Sequence, residues 1–232
     1  MYKALVVVGW VVLFGFAKKQ PTLKEEFNLK GKVKEMKSER RFTLIQGTND
    51  TLYEFTYHYH YYFNKQGNID SLITENEIEG EVSRYTTLYS YNSANEWVEE
   101  SISDGLETRI TTHTWSGKSY VSMGHPFDST KTVVETLFNK RNQVEQINEQ
   151  FIRIQPDGTE RAEVDDEVVF LYDKAGLRIG MDRLQKITGE RSKTTMKNSN
   201  IDSKGNPQDI RIETLDTNTK TMVDYHRSFI YY

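Results

Sequence analysis

Four groups of residues in this chain have types and spacings that could do chemistry. His58 and His60 stand two apart in a strand-like segment and share a face, with Glu54 further along it. Two imidazoles and a carboxylate are a metal-ligand set. The opposite side of that segment is all rings, however, and a polar side facing water needs polar residues whether or not a metal is bound. No metal site is assigned. Glu163, Asp165, Asp166 and Glu167 form the densest run of carboxylates. Adjacent strand residues point to opposite faces, so Asp165 and Glu167 share one face and Asp166 opposes them. Such carboxylates could hold calcium, or act as a glycosidase pair held about 5 to 9 Å apart. The simpler reading is a solvated strand edge, where charge discourages unwanted pairing.

The third group, Gly117-Lys118-Ser119, looks like the end of a phosphate-binding loop. That loop requires an earlier glycine where this chain has Thr112, and a following helix, so the match fails. There is no nucleophile elbow, no HExxH and no Gly-rich dinucleotide fingerprint. No catalytic residue and no cofactor is assigned, and a hydrolase reading rests on the carboxylates alone. The fourth group is a wall of rings: Tyr53, Phe55, Tyr57, Tyr59, Tyr61 and Phe63 occupy alternate positions. Tyr57, Tyr59 and Tyr61 are the ligand-binding candidates, since such rings stack on sugars or line a lipid cavity. The same rings would serve equally to fill the inside of a curled sheet, because rings dominate core energetics.

Strands must position these residues. Period-two alternation recurs as Tyr85, Tyr89 and Tyr91 against Arg84, Thr86 and Ser90, then as Val168, Phe170 and Tyr172. It returns as Val223, Tyr225, Phe229 and Tyr231 against Asp224, His226 and Ser228, the mark of half-buried strands. One short phrase joins the strands: FNKQGNI at 63–69, YNSANEW at 91–97, FNKRNQV at 138–144, YDKAGLR at 172–178 and IDSKGNP at 201–207. Asn or Asp opens each turn by bonding its own backbone, and Gly67, Asn95, Asn142, Gly176 or Gly205 fills the place where φ must be positive. That is a type I turn closed by a left-handed residue, which links antiparallel strands. A second set of turns alternates with the first, at Glu79-Gly80, Asp104-Gly105, Asp157-Gly158, Thr188-Gly189 and 216–220. Successive turns of the first type are 28, 47, 34 and 29 residues apart, and the long step reads as an inserted loop or hairpin at 116–130.

Composition sets the surroundings. The 232 residues include no cysteine, which excludes a disulfide scaffold, a zinc ribbon, a thiolate nucleophile and a cysteine-anchored lipoprotein. A net charge of -4 argues against a nucleic-acid partner, which requires clustered Lys and Arg. Lys3, the uncharged run 4–17 and small residues at Gly15 and Ala17 read as a signal peptide over 1–17. Fourteen apolar residues fall short of the roughly 20 that cross a bilayer, although an uncleaved anchor is the alternative. Residues 18–30 read as an irregular lead-in, and 31–232 as one β-meander domain.

The phrase aromatic-Asn/Asp-x-x-Gly, with a strand and an Asp-Gly or Glu-Gly turn after it, resembles the tyrosine-aspartate (YD) repeats of Rhs-type wrapping proteins. It is similar also to short repeat-bearing secreted proteins of unknown function in Bacteroidetes-like bacteria, whose opening looks like Leu29-Lys30-Gly31-Lys32-Val33. Only Tyr172-Asp173 shows the Tyr-Asp pair, and Asn replaces Gly at 95 and 142. The resemblance implies a β-wrap outside the cytoplasm and brings no catalytic residues with it. The expectation is an all-β antiparallel meander of about ten to twelve strands, curled into a wrap or partly open barrel. Its expected role is non-catalytic binding or scaffolding at the cell envelope, with a protein, glycan or lipid partner. A carrier of a small apolar or glycan ligand is the alternative. Without its leader such a chain is not an integral membrane protein.

Overall fold

The computed structural model describes residues 22, 24, 27–46, 50–78, 81–125, 129–215 and 219–232; the leader read over 1–17 lies outside them. Fourteen strands follow one another: Val33–Gln46 (β1), Asp50–Phe63 (β2), Ile69–Ile78 (β3), Glu81–Tyr91 (β4), Trp97–Ser103 (β5), Thr108–Ser116 (β6), Ser119–Gly124 (β7), Thr130–Phe138 (β8), Val144–Ile154 (β9), Glu160–Tyr172 (β10), Arg178–Gln185 (β11), Arg191–Ile201 (β12), Pro207–Leu215 (β13) and Thr219–Tyr231 (β14). Each pairs antiparallel with the next, and β14 returns to pair with β1 from Val33↔Tyr231 to Gln46↔Thr219. The all-β antiparallel meander is therefore observed, and it closes into a complete barrel.

Two details differ from the sequence reading. The strand count is fourteen because the 47-residue step holds four short strands, β5 to β8. Their middle turn is the tight pair Gly117-Lys118, which lacks the repeated phrase and falls in the stretch 116–130 read as an inserted loop or hairpin. The carboxylate run is a strand edge only in part: β10 pairs with β9 along it, whereas its register with β11 begins at Asp166, so Glu163 and Asp165 lie where β10 overhangs β11.

The repeated phrase builds one end of this barrel, here called the base. Asn64 Oδ1 accepts the backbone N–H groups of Gln66 and Asn68 at 3.1 and 3.0 Å, and Gly67 takes a φ of 94°. Asn92, Asn139 and Asp202 make the same pair of bonds two and four residues on. The pairing register slips by one residue where the phrase begins, between Tyr62 and Phe63, Ser90 and Tyr91, Leu137 and Phe138, and Leu171 and Tyr172. A bulge of this kind switches which alternate residues face inward. Ile69, Trp97, Val144 and Arg178 therefore turn inward, just as Leu72, Glu100, Ile147 and Met181 do further along the same strands.

Bulging also takes a carbonyl out of the ladder, and the next strand supplies it with a donor. The Tyr91 hydroxyl donates to the Ile69 carbonyl at 2.7 Å, Trp115 Nε1 to Trp97 at 2.8 Å, the Tyr172 hydroxyl to Val144 at 2.7 Å and Asn198 Nδ2 to Arg178 at 2.7 Å. One device recurs in four repeats: a polar-tipped inner side chain caps the carbonyl of the first residue after the preceding turn.

The lead-in closes the base. Lys24 N–H donates to the Gly67 carbonyl at 3.3 Å, Asn28 Nδ2 to the Gly176 carbonyl at 2.9 Å, and Lys30 N–H to Asn206 Oδ1 at 2.6 Å. These three turns belong to different hairpins, so the segment is tied across the opening. Phe27 lies edge-on to Tyr61 at 5.1 Å, and Leu29 joins Val33, Met36, Phe63, Ile69, Trp97, Tyr120, Phe138 and Val144 in the buried core. Asn206, fully buried, donates to the Lys30 carbonyl and the Tyr231 hydroxyl. Outside, the wall carries cross-strand ion pairs: Arg41–Glu54 at 3.6 Å, Arg84–Glu75 at 3.6 Å and Arg211–Asp224 at 2.7 Å. Such a wall is suited to water, since a charge on the lipid face of a barrel costs about 2 to 4 kcal/mol at mid-depth.

Replacing Tyr172 by Phe should cost about 1 to 3 kcal/mol in urea unfolding, because it orphans the Val144 carbonyl. The Tyr85→Phe change at the exposed inner rim should stay within about 0.5 kcal/mol, and equal losses would refute the capping role. Asn206→Ala, which removes three hydrogen bonds of one fully buried side chain, should cost more than Tyr172→Phe.

Candidate functional site

A barrel of about eight strands is narrow enough for side chains to fill; one of fourteen is not. The inner face accordingly changes character along the barrel axis. Near the base it is packed with rings, while toward the other end Ser83, Arg109 and Glu149 are exposed although they point inward. The barrel is thus a cup with a filled floor and a wet mouth. Between the inner faces of β5 to β9 lies an open cavity of about 420 Å³. Trp97 and Tyr120 form its floor, Ile102, Val134 and Ile147 give it apolar walls, and Glu100, Arg109, Ser122 and Thr136 supply polar points. A few polar groups on a largely apolar surface is the usual make-up of a small-molecule site.

His113 is its most distinctive member. The imidazole stacks on Trp97 at 3.5 Å, meets Tyr120 edge-on at 5.9 Å, and bonds Ser122 Oγ through Nδ1 at 2.7 Å. Its Nε2 is buried with no hydrogen-bond partner among the described residues. Burial pulls the His113 pKa down to about 4, so the ring is neutral at physiological pH. A neutral imidazole with one nitrogen fixed and the other unused is a recognition point for a single polar group.

The sequence candidates fall on both sides of the wall. Tyr57, Tyr59 and Tyr61 line the inner face of β2, across the lumen's rim-to-floor gradient. Tyr61 is buried, and burial raises its phenol pKa well above the usual range. Tyr57 and Tyr59 are partly exposed, with ring centroids 6.0 Å apart. None of the three borders the β5–β9 cavity. His58, His60 and Glu54 lie on the outer wall, where His60 pairs with Glu35 at 3.2 Å and bonds the Tyr62 hydroxyl at 2.9 Å. Among the carboxylates, Asp165 and Glu167 point outward, near Lys186 at 3.8 and 3.6 Å. Asp166 points inward, buried against Arg183 Nε at 2.9 Å, and its register partner is Glu149. The sequence reading missed His113 and Trp97. Their signal was the inward parity of Thr111, His113 and Trp115, which becomes readable only once the bulge before Trp97 is placed.

No protein-family model matches this chain, and no characterised protein does either. Among solved structures it is similar to a porin-like protein from Bacteroides uniformis, at 11% identity over 91% of this chain and 99% of that one, with a TM-score of 0.49. It is similar also to a DUF1329 family protein from Desulfovibrio piger, at 14% identity over 85% and 86% of the two chains, with a TM-score of 0.41.

The buried imidazole has a pH signature. Its folded pKa near 4 lies below the ordinary 6.5. The unfolded chain therefore binds the extra proton between these values, and stability rises with pH through that window and levels off above it. Relative to His113→Gln, the protein should gain about 2 kcal/mol of stability between pH 4.5 and 7.5. Urea midpoints at the two pH values read this directly, and a constant difference would refute a neutral buried His113.

Proposed function

We propose that this protein is a non-catalytic, extracytoplasmic barrel that holds a small, mainly apolar or glycan-like ligand in the cup of its lumen. The single observation behind this reading is the cavity: the base is sealed by rings and lead-in, yet about 420 Å³ stays open above Trp97 and Tyr120. A chain needing only a core would fill that space, because unfilled apolar volume costs stability. Lys3 and the uncharged run to Ala17 support export as a periplasmic or secreted protein. The outer ion pairs support a body surrounded by water. The YD-like phrase enters as the device that lays the floor, turn by turn. A hydrolase is less well supported, since Asp165 and Glu167 diverge from the lumen and Asp166 is committed to Arg183.

Native mass spectrometry of gently extracted protein should show a bound small molecule, and Val134→Phe, which puts a ring into the cavity, should weaken its retention while leaving the melting temperature within a few degrees. A clean apo mass from the unaltered protein would overturn the reading.

A further inference from the structure

The two ends of the barrel carry opposite charge. At the base, the connections 64–68, 92–96, 117–118, 139–143, 173–177 and 202–206 hold six cations against Glu96, Asp173 and Asp202. The lead-in is tied across them and adds Lys24, Lys30 and Lys32, for a balance of +6. Glu25 and Glu26, counted by charge from the sequence, lower that balance to +4 and leave its sign. At the mouth, the seven connections hold by sequence seven carboxylates, Asp104, Glu107 and Asp157 among them, and one cation, Lys186, a balance of -6. The net charge of -4 hides this polarity, because it averages over both ends.

The repeated phrase places the cations. The carboxylates that open its turns are turned to the backbone: Asp173 accepts the Leu177 N–H at 2.8 Å, and Asp202 those of Lys204 and Asn206 at 2.9 Å. The residues that follow point away from the barrel, and Lys65, Lys140, Arg141, Lys174 and Lys204 there are all exposed. They are spread rather than clustered. Lys65 belongs to the β2–β3 connection, Lys140 and Arg141 to β8–β9, Lys174 to β10–β11 and Lys204 to β12–β13, around an end that fourteen strands make roughly 25 to 30 Å across. A small anion reaches one or two of them, whereas a plane of phosphates meets them all.

We infer that the base is a docking surface for an anionic bilayer, on which the barrel stands with its mouth turned toward water. Basic side chains held close to an anionic leaflet add their attractions. The acidic mouth does not oppose the contact. An 11-residue strand tilted by about 40° puts the ends roughly 25 Å apart, and charges are screened beyond about 10 Å in about 0.1 M salt. The other exposed positions of these turns are small or polar, as Gln66, Ser93, Ala94, Ala175 and Ser203, so the turns meet headgroups and do not enter the hydrocarbon. This surface uses no residue of the β5–β9 cavity, so it stands or falls separately from the function proposed above.

Co-sedimentation of the full chain with phosphatidylcholine vesicles, with or without about a third phosphatidylglycerol, tests it. Affinity for the anionic vesicles should be at least tenfold higher in about 0.1 M salt, and should fall at least tenfold in about 1 M salt, where the Debye length is about 3 Å. Changing Lys140, Arg141, Lys174 and Lys204 together to Glu should abolish the preference and leave the circular dichroism spectrum unchanged. Lys140→Glu with Arg141→Glu, and Lys174→Glu with Lys204→Glu, should each weaken binding at least threefold, and these pairs carry the test if the fourfold variant does not fold. Asp104→Asn with Glu107→Gln, at the mouth, should leave binding within twofold. Equal affinity for both vesicle types, which insertion of the apolar run 4–17 alone would give, would overturn the surface, as would unchanged binding in the folded base variants. Competition by inorganic phosphate at matched ionic strength would place recognition in a discrete anion site and refute it too.

Discussion

A carbonyl pushed out of the sheet ladder by a bulge must find another donor or stay buried and unpaired, at a cost of about 1 to 3 kcal/mol. That requirement organises the base of this barrel. Four of the five repeated turns carry such a bulge, and each displaced carbonyl is met by an inner side chain of the following strand: Tyr91, Trp115, Tyr172 and Asn198. Because the donors are mostly large rings, the bonding that satisfies the backbone also fills the floor of the lumen. Hydrogen bonding and core packing are served there by the same residues, in a chain with no cysteine to cross-link it.

Much of this was legible in the sequence because it is local. The turn phrase names its own geometry: Asn or Asp first, then a residue able to take positive φ, and the structure puts Asn95 at 64° and Asn142 at 60° beside the glycines. The ring wall of β2 reads directly as an inner face. Closure and parity are not local. Gly117-Lys118 lacks the phrase of the other turns, so the long step reads only as an inserted loop or hairpin at 116–130, the stretch that holds β7. The run Glu163 to Glu167 shows that Asp166 opposes Asp165 and Glu167, but not that Asp166 is the one facing the lumen, because face assignments reset at every bulge.

The candidate site shows the same division. Tyr57, Tyr59 and Tyr61 stand out by composition, yet the β5–β9 cavity is built on Trp97, His113 and Tyr120, which come from three strands with no shared motif. Charge inside the barrel follows suit. Arg40, Arg178 and Arg227 lie far apart in the chain, and only barrel closure brings Arg40 on β1 and Arg227 on β14 around one tyrosine ring.

The described residues of the lead-in form no strand, yet they decide what kind of vessel the barrel is. Tied to the turns at Gly67, Gly176 and Asn206, they turn a pipe into a cup. A pipe can pass its contents through, whereas a cup must load and empty by the same route. Anything held near Trp97 therefore leaves past Arg109 and Glu149, and whatever displaces it has to arrive at that rim rather than from below.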